Sequence, residues 1–411
     1  MNRRSLLKSG MLMGAAAGLG KSREAYAQVT PNCSNHRHRN RSLVGKPNSR
    51  NLLDTPALVL DLDVMERNLD IMAEHCKRVG LQLRPHCKTH KSVKLAEEQV
   101  VRGAIGVCVA TIGEAEAMAC GDLSGILITR PIVSKEQIAR LLRLNAQVPD
   151  LMVVADHLDN VAALASAAVE SSANLHVVVD VDVNDHRTGC ADIESAVRLA
   201  HYVDDSDVLT FAGLQAYAGR AQHVINSTDR RKAVTESNGI VSAVADELTA
   251  IGLEPGIVSG GGTGTFDMLT IDNVFTELQA GSYLVMDAQY AEVWTGDNST
   301  PPFETALFVQ TVVVSNNHPG FVTTDAGQKR FAMDAGKPQL ARGAPDGATY
   351  TTAGDEHGFV RFANASDRLE LGARIECVTP HCDPTINLFD AYHCVRGDTL
   401  VDIWPIDARG T

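Results

Sequence analysis

His176-Val177-Val178-Val179-Asp180-Val181 is an unbroken apolar run closed by carboxylates, with a turn-rich stretch and a helical pattern behind it. A run that does not alternate polar with apolar suits a strand covered on both faces, as in parallel sheets flanked by helices. Seven runs of the same kind lie around it: Leu81–Arg84, Gly106–Thr111, Ile126–Arg130, Leu151–Ala155, Phe211–Tyr217, Ile257–Gly260 and Leu278–Ala280. Helical patterns separate them. Before the first run, Met65, Leu69, Met72, Cys76 and Val79 recur at helical steps, Asp63 and Glu66 have capping-box spacing, and Gly80 closes the helix. Eight strand–helix units over about 200 residues predict an α/β fold, a (β/α)8 TIM-type barrel. A doubly wound open sheet is the alternative.

After Pro301 the helical periodicity fades. Ala306–Val314, Phe321–Thr324, Phe359–Phe362 and Leu400–Trp404 read as strands between Gly, Pro, Asn and Asp. The expected layout is a signal peptide over 1–27, a polar linker over 28–50, the barrel over 51–300 and a second, β-rich C-terminal domain over 301–411. The early run Ala57–Leu60 could be a ninth strand that joins the second domain.

The chain has 411 residues, 44% hydrophobic and 21% charged, which is globular composition. Its net charge of −13 repels phosphate backbones and argues against a nucleic-acid partner. No apolar run reaches the roughly 20 residues of a membrane-spanning helix. Arg3-Arg4-Ser5-Leu6-Leu7-Lys8, a short apolar core and Ala25-Tyr26-Ala27 look like a twin-arginine signal, so export to the periplasm is expected. Nine cysteines without a CxxC pair do not describe a disulfide framework. Cys76, Cys108, Cys120 and Cys190 are expected to be buried packing residues, and disulfides stay open.

In a barrel, chemistry gathers where strands end. The first strand ends Arg84-Pro85-His86-Cys87-Lys88-Thr89-His90-Lys91. A lysine just past a buried strand would sit in the barrel mouth, where desolvation and nearby positive charge lower its pKa and free the amine for a Schiff base. A surface lysine in a basic loop is the competing reading. Behind the seventh strand, Ser259-Gly260-Gly261-Gly262-Thr263-Gly264-Thr265 offers main-chain N–H groups and hydroxyls to an anion, and Ala280-Gly281-Ser282-Tyr283 follows the eighth. Barrel phosphate sites favour these two loops; a tight glycine turn is the plainer reading. Tyr217, His223, Asp180 and Arg187 fall near the ends of the fifth and sixth strands, where caps and turns also account for them. In the second domain, His381 and Asp383 would point the same way in an extended segment and could ligate one Mn²⁺, Mg²⁺ or Zn²⁺ ion. A hydrogen-bonded turn is the alternative. Glu356-His357 is a second polar cluster that could contact the same place.

Taken together, the Lys88 octapeptide, the Ser-Gly-Gly-Gly-Thr-Gly-Thr loop and His381-Cys382-Asp383 resemble the D-threonine aldolase and D-serine dehydratase family of pyridoxal phosphate enzymes. Gly113-Glu-Ala-Glu116, Asp325-Ala-Gly327 and Ile403-Trp-Pro-Ile-Asp-Ala-Arg-Gly410 extend the likeness over Asp54–Gly410. The resemblance implies an alanine racemase-like barrel plus β domain, working as a homodimer. It implies that Lys88 holds pyridoxal 5'-phosphate, that Gly262, Thr263, Ser282 and Tyr283 bind the phosphate, and that Arg187 and Tyr217 line the cofactor. His381 and Asp383 match the metal pair. Aldolase members have His-x-Asp there and dehydratase members His-x-Cys; this chain has the aldolase form. Ala110-Thr111 departs from a more polar pair in some aldolases.

The expected reaction is retro-aldol cleavage of a D-β-hydroxy amino acid, of D-threonine or D-3-hydroxyaspartate type, to glycine and an aldehyde. Lys88 and His223 are the expected catalytic residues, His223 as general base. A D-serine or D-3-hydroxyaspartate dehydratase is the alternative, and a non-catalytic pyridoxal phosphate-binding protein a further one.

Overall fold

Parallel strands and their covering helices begin after a first strand that belongs elsewhere. In the computed structural model, which describes residues 40–270 and 274–411, β1 (Ala57–Asp61) is followed by α1 (Leu62–Val79). Then come β2 (Gln82–Leu83), α2 (Val93–Val101), β3 (Val107–Val109), α3 (Ile112–Cys120), β4 (Ile126–Ile128), α4 (Lys135–Asn145), β5 (Met152–Ala155) and α5 (Leu158–Ser171). They continue with β6 (Leu175–Asp180), α6 (Ile193–Asp204), β7 (Leu209–Ala216), α7 (Ser227–Ala250), β8 (Ile257–Gly260), β9 (Glu277–Leu278) and α8 (Ala288–Thr295). The signal-peptide reading falls on residues outside those described.

β2 to β9 form one sheet of eight parallel strands, in the order β2-β9-β8-β7-β6-β5-β4-β3. Its ends meet at a parallel bridge between His86 and Cys108, so the sheet closes on itself and the open-sheet alternative is set aside. The apolar runs are buried on both faces because the strands have two cores. Val177 and Val179 pack outward into the main cluster with helix residues such as Leu164 and Leu199. Val178 joins Cys108, Leu127 and Val154 in a separate cluster on the opposite, lumen face.

The second domain is one antiparallel-rich sheet of nine strands. It comprises β10 (Leu307–Ser315), β11 (Phe321–Thr324), β12 (Gln339–Arg342), β13 (Thr349–Thr352), β14 (Gly358–Arg361), β15 (Arg374–Val378), β16 (Ala391–Arg396) and β17 (Thr399–Pro405), with the short helix α9 (Cys382–Ile386) between β15 and β16. Its ninth member is β1, antiparallel to β10 and parallel to β16. Asp325 pins this sheet: its carboxylate accepts from Thr311 Oγ1 and Thr55 Oγ1, both at 2.6 Å.

Several local expectations are corrected. The linker expected over 28–50 is, from Asn40 on, folded against the second sheet. Arg50 is 2% exposed and clamps Glu376 with Nε and Nη2 at 2.8 and 2.7 Å. The α1 cap is Asp61, whose side chain accepts from Val64 N, and not Asp63. Thr111 caps α3 by accepting from Glu114 N, which accounts for it without a cofactor contact. None of the described cysteines forms a disulfide; Cys76, Cys108 and Cys190 are buried, whereas Cys120 is exposed. No described helix is long and apolar enough to cross a membrane.

Candidate active site

Past β2 the chain turns sharply: the N–H groups of His90 and Lys91 both donate to Cys87 O, and Cys87 N donates to Cys108 O. Lys91 adopts a left-handed φ of 52° to complete the turn. Its amine is buried against Glu114 at 2.7 Å, so it is a structural strut. Lys88, in the turn itself, is the half-buried amine left facing the mouth. His86 steadies it from behind: Nδ1 accepts from Lys88 N at 3.3 Å, which leaves Nε2–H to donate to Thr129 Oγ1 at 3.0 Å. Burial, and then the Lys88 charge, push the His86 pKa well down, so this imidazole is neutral.

Lys88 Nζ is ion-paired to Asp383 Oδ2. Burial opposes the charged amine, but the carboxylate outweighs it and raises the lysine pKa above its usual value. This reverses the lowered pKa expected from the sequence, which did not place a carboxylate beside the amine. Asp383 is held low in turn: burial acts against ionisation, and the Lys88 charge and hydrogen bond overcome it.

The other face of Asp383 leads to the glycine loop. Ser282 Oγ donates to Asp383 Oδ1 at 3.2 Å, and Thr263 Oγ1 accepts from Tyr283 N at 3.1 Å. The loops after β8 and β9 are thereby joined beside the lysine. Both are built around missing side chains. A Cβ on Gly262 would lie 2.5 Å from Gln222 Oε1, and one on Gly281 would lie 2.6 Å from Thr89 Oγ1. Gln222, 1% exposed, donates to Thr265 Oγ1 and accepts from Gly264 N, both at 3.0 Å. Tyr283 contributes only its main chain here. Its ring is fully buried beside Phe303, and its hydroxyl accepts from Gln99 Nε2 at 3.1 Å.

Tyr217, at the end of β7, lies among Lys88, Asp383 and Arg187, and burial raises its pKa. The Arg187 guanidinium sits 5.5 Å from the centre of its ring. The Arg187 loop is anchored by Asp180, which accepts from Thr188 Oγ1 at 2.8 Å and from Gln215 Nε2 at 2.9 Å. Burial pushes the Asp180 pKa up to about 6. A buried amide row continues across the lumen, with Gln279 Nε2 donating to Gln215 Oε1 and Ser259 Oγ.

His223, in the turn after β7, packs against Tyr290 of α8 with ring centres 4.7 Å apart and the planes tilted by 42°. Desolvation, with His381 adding, lowers its pKa, so the imidazole is a neutral proton acceptor at neutral pH. Tyr290 was not foreseen: it stands on α8, where its sequence neighbours carry no motif. Its phenol lies near Tyr217 and Asp383.

The extended geometry expected for His381 and Asp383 is corrected. The segment is not extended throughout: His381 is the extended N-cap of α9, and Asp383 is already helical. Cys382 is tied between them by its N–H to Asp287 Oδ2 at 2.8 Å. His381 Nδ1 meets Asp334 Oδ2 at 2.7 Å, a partner that lay in an unremarkable loop of the sequence. Glu356 pairs instead with exposed Lys329 at 2.5 Å, and among the described residues no contact links it or His357 to the His381–Asp383 pair.

These residues fit pyridoxal phosphate. A reachable amine stands beside an anion cradle whose glycines leave no room for side chains, and the cradle's hydroxyls are buried. An imidazole and a carboxylate also suit a divalent ion. Among the described residues no group of three His, Cys, Asp or Glu side chains is arranged for a metal, so water or substrate would complete its shell.

Residues 60–289 match the alanine racemase N-terminal domain, and residues 306–395 a putative serine dehydratase domain. A D-threonine aldolase from an Arthrobacter species is 38% identical over 89% of this chain and 95% of its own. A 3-hydroxy-D-aspartate aldolase from Paracoccus denitrificans is 35% identical over 87% and 92%. The crystal structure of D-threonine aldolase from Filomicrobium marinum superposes with a TM-score of 0.82 at 37% identity, over 88% of this chain and 96% of the other.

Proposed function

The chain belongs to the D-threonine and 3-hydroxy-D-aspartate aldolase family, built on the alanine racemase-like fold, and from that membership we propose that it is a pyridoxal phosphate- and divalent-metal-dependent lyase. It cleaves D-β-hydroxy-α-amino acids, of the D-threonine or D-3-hydroxyaspartate type, to glycine and an aldehyde. The observation that carries the reading is the meeting of Lys88, Ser282 and Asp383 at the barrel mouth.

Lys88 would carry the cofactor, and Gly262, Thr263, Ser282 and the Tyr283 main chain would receive its phosphate. Arg187 and Tyr217 would line the cofactor. Pyridoxal phosphate, when bound, supplies an electron sink for the charge left on Cα. His223, neutral at working pH, takes the proton of the substrate β-hydroxyl. His381 and Asp383 would hold Mn²⁺, Mg²⁺ or Zn²⁺, which supplies a Lewis acid for that hydroxyl.

The dehydratase reading would remove the Cα proton and expel hydroxide. Asp383 in place of a sulfur ligand favours the aldolase. The cysteine of this segment, Cys382, is buried one position earlier. Product identification tests the choice: glycine and an aldehyde are expected from a panel of D-β-hydroxy amino acids, with cleavage lost on chelation and restored by Mn²⁺. Ammonia and a 2-oxo acid as the main products would overturn it.

The paired-arginine start supports export of the folded protein by the twin-arginine route, and the family resemblance supports a homodimer. Cell fractionation and sedimentation check these two points.

A further inference from the structure

We propose that Asp334 is the positioning carboxylate of the cation pair: it occupies His381 Nδ1 and leaves Nε2 as the nitrogen presented to a divalent ion shared with Asp383. This rests on the reading of His381 and Asp383 as the ligand pair.

A neutral imidazole has one N–H and one lone pair, and whichever nitrogen donates to a carboxylate cannot bind metal. Asp334 Oδ2 lies 2.7 Å from His381 Nδ1. That contact assigns the proton to Nδ1 and sets the ring's rotation. Neither of the other carboxylates nearby is hydrogen-bonded to this imidazole. Asp383 faces Lys88 and Ser282. Asp287 accepts from Cys382 N and Tyr290 N, each at 2.8 Å.

The loop that carries Asp334 is held by attachments independent of Asp334. Ala332 N donates to Thr385 Oγ1 at 3.1 Å, Phe331 is 1% exposed, and Arg330 lies over the Phe389 ring at 5.4 Å. Asp334 itself is half exposed, with a side-chain accessibility of 56%. Its removal therefore leaves the loop in place and takes away the imidazole's partner. Carboxylates behind metal-bound histidines act in this way, and their loss weakens metal binding by about 10–100-fold.

The test is Mn²⁺ affinity, measured by calorimetry and by the free-ion electron paramagnetic resonance signal, on chelator-stripped protein with pyridoxal phosphate bound. Asp334→Ala is expected to bind Mn²⁺ about 10–100-fold more weakly, with the visible cofactor band and melting temperature unchanged. Asp334→Asn keeps an acceptor without the charge and is expected to fall between. His381→Ala marks the full loss. Asp334→Ala affinity equal to wild type would overturn this inference alone. Cofactor band and Mn²⁺ affinity lost together in both Asp334 variants would mark a structural role and overturn it as well. Wild type taking up no Mn²⁺ would remove the ligand-pair reading and this inference together.

Discussion

Asp383 pairs through one carboxylate oxygen with the Lys88 amine and through the other accepts the hydroxyl of Ser282 at 3.2 Å. Without cofactor the amine is thus held in its charged form, which does not attack a carbonyl. Asp383→Asn removes the charge that holds the proton. The pH profile for capture of pyridoxal phosphate by the stripped protein is then expected to move about one to three pH units lower. Stopped-flow absorbance follows it. An unchanged profile would mean the ion pair does not govern the amine. Lys88→Ala is expected to show no visible cofactor band at any pH.

The His223 imidazole, proposed as the general base, lies beside Tyr290. His223→Gln is expected to lower kcat by about 10²–10⁴-fold while the cofactor band and Mn²⁺ affinity stay. A variant that retains wild-type kcat removes His223 from the chemistry.

Asp180 is 4% exposed, with its pKa pushed up to about 6. A carboxyl raised in the folded state binds its proton more tightly there than in the unfolded chain. Its contribution is therefore full at pH values below the ordinary aspartate pKa and is lost as pH rises through about 6. Asp180→Asn is expected to flatten the melting temperature between about pH 4 and pH 6 relative to wild type. Parallel curves for the two proteins would contradict the assignment.

Arg84 clamps Glu277 in the barrel interior, with Nε and Nη2 at 2.8 and 2.9 Å and both residues nearly unexposed. Arg84→Ala strands a buried carboxylate and is expected to cost about 3–5 kcal/mol. The double change Arg84→Met with Glu277→Leu replaces the pair by apolar volume and is expected to cost far less. Denaturant unfolding of both variants decides. A double variant as weak as the single one would show that the pair is needed for more than mutual neutralisation.

Local pattern carried the architecture well, because burial on two faces leaves its mark on composition. Val177, Val178 and Val179 must all be apolar if one packs into the lumen and its neighbours pack against helices, so the eight runs were legible. The placement of Lys88, the Gly262 loop and Ser282 just past barrel strands was legible for a related reason: a strand end and a glycine run are local features of the chain. The Asp63 cap and the loose linker were misread. Asp61 ends β1 and starts α1 at once, and Arg50 finds Glu376 across 326 positions of sequence.

The eight barrel strands, their order along the chain and the place of the Lys88 amine past the first of them were thus readable from the order of residues, since each depends on a few neighbours along the chain. The partners of that amine were not. Asp383 reaches Lys88 over 295 positions, and Asp334 reaches His381 over 47. A charged group takes its pKa and its orientation from whatever lies within a few ångströms in space, so only the docking of the second sheet on the barrel could decide that Lys88 meets a carboxylate and that His381 has its Nδ1 occupied.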